Sequence, residues 1–221
     1  MDTQAAYNMI EAGGLMAGMR GNFPPATALE VTRVLSERGR INVFEFTMNS
    51  VQAIEAMQAT KQAYGGDALV GMGTVLDEET AQRVIDAGAD FVVAPSFNRA
   101  VVERVHAAGM LMIPGVITPT EAVDAWAMGA KILKIFPIGN LGVDYFKSVR
   151  APLSHIKFMA NGGMSELNAG EFIKAGAVAC GMANWLTGDG AMPLDLIGQR
   201  AQLLRNIVDA ARSGQPVPMR A

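Results

Sequence analysis

The sequence predicts a single (β/α)8 TIM barrel with a short N-terminal helix, one domain over residues 1–221. Three observations carry this expectation: a recurring glycine stop, helix-start signals between short apolar runs, and enough chain for one sizeable core. A polar, helix-like stretch ends in glycine and an apolar run follows at Gly39, Gly65–Gly66, Gly88, Gly109, Gly129 and Gly176. From Gly66 to Gly129 the steps are 22, 21 and 20 residues, and the next, to Gly176, is 47, or about two units. A glycine just past the last helical turn takes the left-handed conformation at little steric cost, and the chain then leaves extended.

Eight strands follow from this punctuation, at 14–19, 42–46, 68–71, 91–94, 111–113, 132–136, 155–159 and 177–180. Helix signals fill the gaps. Thr118-Pro119-Thr120-Glu121 reads as a capping box with proline at the first helical position. Asn98 is placed to cap a helix with an inner face of Val101, Val102, Val105 and Ala108, and Ala81, Val84 and Ile85 form another inner stripe. Residues 1–12 are expected to form a helix plugging the barrel bottom, residues 194–211 the closing helix, and Pro216-Val217-Pro218 a loose end. An open doubly wound sheet is the alternative. It lacks support because no strand runs into G-x-G-x-x-G, and Gly71-Met72-Gly73 is only a fragment of that pattern.

Composition narrows the chemistry. Half of the residues are hydrophobic, 18% are charged, and the formal charge of −3 disfavours nucleic acid or an anionic membrane surface as partner. The single cysteine, Cys180, excludes a disulfide within the chain and suits a reducing compartment. His106 and His155 lie far apart, so neither a zinc site nor a nucleophile–histidine pair is expected. No basic n-region and no apolar run near about 18 residues is present, so the expected location is the cytoplasm. The fifteen methionines read as flexible core filling.

Two apolar strands carry a charge. In Val43-Phe44-Glu45-Phe46-Thr47 the phenylalanines suit the helix-facing side, which turns Val43, Glu45 and Thr47 inward. Lys134 shares a face with Ile132 and Phe136. A buried charge needs a partner or must neutralise. Two readings stand: a Lys–Glu pair that only fills the barrel, or an amine nucleophile with a carboxylate to move protons. Desolvation disfavours an ammonium, and a neutral amine adds to a ketone to form a Schiff base. Lys157 stands nearer the start of its strand and suits the lower rim. Polar and glycine-rich segments cluster at the strand ends: Arg20-Gly21, Thr47 and Asn49, Gly73-Thr74, Pro95-Ser96, Asn161-Gly162-Gly163, and Gly181 to Asn184. Barrel active sites lie at that end, and the ends of strands seven and eight are common phosphate sites.

These residues resemble the KDPG/KHG aldolase family, class I aldolases with this fold, from about Gly14 to Leu186. The resemblance rests on Val70-Gly71-Met72-Gly73-Thr74-Val75-Leu76, on Phe91-Val92-Val93-Ala94-Pro95, and on Pro114-Gly115 with Thr118-Pro119-Thr120-Glu121. The fourth piece is Leu133-Lys134-Ile135-Phe136-Pro137, similar to the Schiff-base strand L-K-x-F-P. It implies that Lys134 is the Schiff-base lysine and Glu45 the acid–base carboxylate, acting through water. It also implies that Thr74, Pro95 and Phe136 line the pyruvyl site. The implied reaction is cleavage of a 2-keto-3-deoxy-6-phosphosugar acid to pyruvate and glyceraldehyde 3-phosphate, with no metal or organic cofactor, in a homotrimer.

The chain departs from the commonest pattern. Asn49 stands where most gluconate-type members carry an arginine, as in the galactonate branch, which resembles this chain also in Met19-Arg20-Gly21 and Tyr64-Gly65-Gly66-Asp67-Ala68-Leu69. Arg20 is then the candidate for the substrate carboxylate, and the galactonate substrate is favoured. Gly162, Gly163, Gly181 and Asn184 are the candidates for the distal group, with Met182 adding bulk and Asn161 replacing a threonine or valine. The alternatives are a non-phosphorylated substrate such as 4-hydroxy-2-oxoglutarate, a sugar-phosphate isomerase or epimerase, and a non-catalytic sugar-acid-binding paralogue.

Overall fold

The computed structural model describes residues 2–216, so Val217 and Pro218 of the expected loose end lie outside the described residues. The chain runs α1 (Thr3–Gly13), β1 (Leu15–Met19), α2 (Pro25–Gly39), β2 (Val43–Thr47), α3 (Ala53–Tyr64) and β3 (Leu69–Gly73). It continues through α4 (Glu78–Asp86), β4 (Phe91–Val93), α5 (Arg99–Ala107), β5 (Leu111–Ile113), β6 (Gly115–Val116) and α6 (Pro119–Ala127). After β7 (Leu133–Ile135) come a 3₁₀ turn (Ile138–Asn140), α7 (Gly142–Arg150), β8 (Phe158–Asn161) and α8 (Ala169–Lys174). The chain then runs through β9 (Ala179–Met182), α9 (Asn184–Thr187) and α10 (Leu194–Ser213).

The nine strands form one parallel sheet in the order β5-β4-β3-β2-β1-β9-β8-β7-β6, a nearly closed barrel with the helices around it. The expected fifth strand, 111–113, forms as β5 and pairs with β4, and a further short strand that the sequence pattern does not predict, β6, follows Pro114 and pairs with β7. Pro114 sits at the break because it has no N–H for a ladder bond. Its carbonyl still accepts from the Lys134 N–H at 2.9 Å. The seventh and eighth expected strands also begin later than their sequence suggests. A turn anchored by the Ile156 N–H on the Leu153 carbonyl, 2.9 Å, occupies the segment before Phe158. Asn161 and Gly181 therefore lie within strands, not after them.

Alternation along the strands divides the interior from the helix layer. Phe44, Phe46, Leu133, Ile135 and Phe158 are buried in the outer core between sheet and helices. Met16, Val43, Leu69, Phe91, Ile132 and Met159 instead form an inner cluster, sealed from below by Ala6, Tyr7 and Ile10 of α1. Asp2 caps that plug by accepting from the Ala5 N–H at 2.7 Å. Its C-terminal carbonyls are taken by α10: Arg205 donates to Gly13 at 2.7 Å and Arg212 to Ala12 at 2.6 Å. The capping box on α6 forms as expected. Backbone N–H groups of Ile117 and Thr118 donate to Glu121 and hold its carboxyl below the usual range. Cys180 is buried, which pushes its thiol up to about 12.

The glycine stops behave as their spacing predicts, with one exception. The glycines from Gly65 to Gly176 that follow helices have positive φ, but Gly39 is helical and Arg40 takes the left-handed position at φ 50°. Gly39 serves packing instead. A Cβ there would stand 2.8 Å from the Ala201 Cβ and 3.0 Å from its carbonyl oxygen, so α2 and α10 touch backbone to backbone. Gly39→Ala is expected to destabilise the protein by about 1–3 kcal/mol, the usual range for overpacking. Ala201→Gly in the same chain should recover part of that loss, and thermal melts of the two single variants and the double variant measure the coupling.

Candidate active site

Halfway up the barrel the interior changes character. Two residues beyond the apolar inner layer, the inward positions carry Glu45 on β2, Lys134 on β7 and Asn161 on β8, all buried. Glycines stand opposite them. A Cβ on Gly73 would fall 1.9 Å from Glu45 Oε1, and one on Gly181 would fall 2.0 Å from Asn161 Nδ2. These glycines are sockets: any side chain there would occupy the volume that the polar groups need.

Lys134 Nζ lies 3.9 Å from Glu45 Oε1, with the two side chains only 5% and 7% exposed. Attraction at that distance is about 4 kcal/mol at an effective dielectric near 20. Desolvation costs about several kcal/mol per ion. Two such penalties exceed the attraction, so stability alone does not account for the pair. The distance is also too long for a hydrogen bond, and Glu45 Oε1 has no hydrogen-bond partner. Lys134 Nζ stands 5.0 Å from the centroid of the Phe136 ring. Asn161 Oδ1 is likewise buried without a partner. Orphaned buried acceptors are uncommon, and two of them line one cavity with the amine, a place that suits polar atoms of a ligand.

These groups open into a cavity of about 530 Å³ at the carboxyl ends of the strands. Of the expected site residues, Arg20, Glu45, Lys134, Phe136, Gly162, Gly163, Gly181 and Asn184 line it. Thr74, Pro95 and Asn49 do not. Thr74, at φ 61°, and Pro95 stand half-buried just beyond β3 and β4, while Asn49 is exposed in the turn after β2. Arg20 takes part in none of the ion pairs among the described residues. The histidines stay away: His106 lies half-buried on α5, where burial lowers its pKa, and His155 packs edge-on against Trp126.

The wall also includes Gly18, Thr47, Asn161, Met182 and Trp185. Thr47 follows from alternation on its strand. Asn161 is two residues past Met159 and is readable the same way once that strand is extended. Trp185 is held from behind by Arg200, which packs on its ring at 5.0 Å and donates to its carbonyl. No sequence pattern signals that contact.

A (β/α)8 barrel with a buried amine and carboxylate in one cavity defines a class of enzyme, and comparison with known proteins places it within that class. The family described as KDPG and KHG aldolase matches residues 25–196. The 2-dehydro-3-deoxy-6-phosphogalactonate aldolase of Escherichia coli K12 is 34% identical over 171 residues, which are 77% of this chain and 82% of that protein. A 2-dehydro-3-deoxy-phosphogluconate aldolase of Treponema pallidum is 37% identical over 150 residues, 67% and 70% of the two chains. A solved structure described as native KDPGal superposes with a TM-score of 0.81 at 32% identity, covering 90% of this chain and 94% of that one. The chain belongs to the KDPG and KHG aldolase family, and it is therefore an aldolase, a lyase.

The glycine sockets give a test of the geometry. Gly73→Ala should displace the Glu45 carboxylate while leaving the fold intact. If Glu45 acts in the reaction, misplacing it by about 1 Å costs on the order of 100-fold in rate. Cleavage is expected to fall by about that factor, measured by coupled pyruvate release, with an unchanged circular dichroism spectrum as control.

Proposed function

We propose that this protein is a class I aldolase that cleaves a 2-keto-3-deoxy-6-phosphosugar acid, the galactonate compound in preference to the gluconate, to pyruvate and glyceraldehyde 3-phosphate. One observation carries the reading: a buried lysine amine beside a buried carboxylate with an unpartnered oxygen, in one cavity. Lys134 Nζ adds to the C2 ketone, and loss of water leaves an iminium. Glu45, directly or through water, takes the C4 hydroxyl proton. The C3–C4 bond then breaks, its electrons move into the iminium to give an enamine, and the aldehyde departs. Protonation at C3 and hydrolysis release pyruvate and restore the amine.

The remaining walls suit the rest of such a substrate. Arg20 offers a bidentate partner for the carboxylate, the task assigned elsewhere in the family to an arginine at the Asn49 position. The Asn161 amide offers a donor and an acceptor to a chain hydroxyl. Gly162, Gly163, Gly181 and Asn184 line the same cavity and are the candidates for the phosphate. A homotrimer is the assembly that the family resemblance implies. The preference for galactonate rests on Arg20 and Asn49 together with the Tyr64-Gly65-Gly66-Asp67-Ala68-Leu69 segment.

Borohydride with pyruvate should leave a reduced adduct on Lys134, located by mass spectrometry, and Lys134→Ala should lose both adduct and cleavage. A folded protein with no adduct overturns the reading. Glu45→Gln should retain trapping and slow cleavage by about 10²–10⁴-fold, the usual contribution of an acid–base group. A side-by-side assay of both phosphorylated acids and 4-hydroxy-2-oxoglutarate should rank the galactonate compound first by kcat/KM.

A further inference from the structure

Arg20 stands at the end of β1, where a strand gives way to a loop, yet its backbone is not free. One hydroxyl brackets it. Ser50 Oγ accepts from the Gly21 N–H at 3.0 Å and lies 3.3 Å from the Met19 carbonyl, to which it donates. The two peptide groups flanking Arg20 are thus tied to the same side chain. Thr47 Oγ1 lies 2.7 Å from Ser50 Oγ and 3.3 Å from the same Met19 carbonyl, so the two hydroxyls share one proton network. The brace continues in the backbone. The Val51 N–H donates to the Gly21 carbonyl at 2.9 Å, and the Asn22 N–H donates to the Asp189 carbonyl at 2.7 Å.

Gly21 has φ 134°, and a Cβ there would fall 2.4 Å from the Asp189 carbonyl oxygen. The Arg20 segment is therefore clamped between the loop after β2 and the loop after α9. The guanidinium pairs with no carboxylate among the described residues. Its direction into the cavity depends on the backbone from which it grows.

We propose that Ser50 is a positioning residue for Arg20: its hydroxyl sets the backbone of the Met19–Gly21 segment so that the guanidinium is held ready for a substrate carboxylate. The loop that carries Asn49 thus contributes to carboxylate binding without contributing the arginine. This rests on the reading of Arg20 under Proposed function, and a held cation loses less freedom on binding than a loose one.

The test uses pyruvate and borohydride, reading the pyruvate concentration that half-saturates trapping on Lys134. Ser50→Ala should raise it about 5- to 10-fold, the effect of one hydrogen bond, with the same plateau of adduct. Ser50→Thr, which keeps the hydroxyl, should stay near the parent value. Arg20→Ala should raise the concentration further, and adding Ser50→Ala to it should change nothing more. Methyl pyruvate, which lacks the charged carboxylate, should show no difference between the parent and Ser50→Ala. The proposal is overturned if Ser50→Ala leaves pyruvate saturation unchanged, if it acts equally in the Arg20→Ala background, or if Ser50→Thr matches Ser50→Ala. If trapping fails in the parent protein, or Arg20→Ala leaves saturation unchanged, the Schiff-base or the Arg20 reading fails instead.

Discussion

The Lys134–Glu45 couple governs much of the molecule, because a barrel interior is a poor place for two charges. Removing either from water costs more than an exposed ion pair returns, so the surroundings have to supply space, polar company and an opening to solvent. The structure supplies all three at one level of the barrel. Below that level the inward side chains are apolar and closed by α1; at it, they are charged, amidic or absent.

Absence is as specific as presence here. Gly73 and Gly181 are not turn residues, since both lie inside strands. Their missing side chains are the room into which Glu45 and Asn161 project. The helix layer shows the same logic at Gly39, where two helices meet too closely for a methyl group. Glycine in this chain therefore has two separate uses, conformational at the helix ends and volumetric inside the packing.

Periodicity made the barrel legible because each helix–strand unit repeats the same physical problem: stop a helix, enter the sheet, return outside it. It made Glu45 and Lys134 legible for a related reason, since a charge in an apolar strand contradicts its surroundings. Strand ends were less readable. Nothing local distinguishes His155–Ile156, which form a turn, from the residues that enter the sheet, and so Asn161 reads as a loop residue until the ladder is seen. Pro114 carried its own warning, but the switch of partners across it is a property of barrel closure. The grip of Arg200 on Trp185 and that of Ser50 on the Arg20 segment join residues 15 and 30 or so apart, and no repeat or motif encodes such pairings.

The clasp between α10 and α1 has a topological consequence. Arg205 and Arg212 bind the last carbonyls of the plug, and Arg212 also reaches the Val178 carbonyl at the lower end of β9. The first and last helices are thereby fastened to each other at the pole opposite the cavity. A peptide joined beyond either helix would emerge from that blind pole and leave the mouth of the cavity unobstructed. The ring of units could equally be spliced there and opened elsewhere, with the clasp converted from a non-covalent seam into a continuous chain.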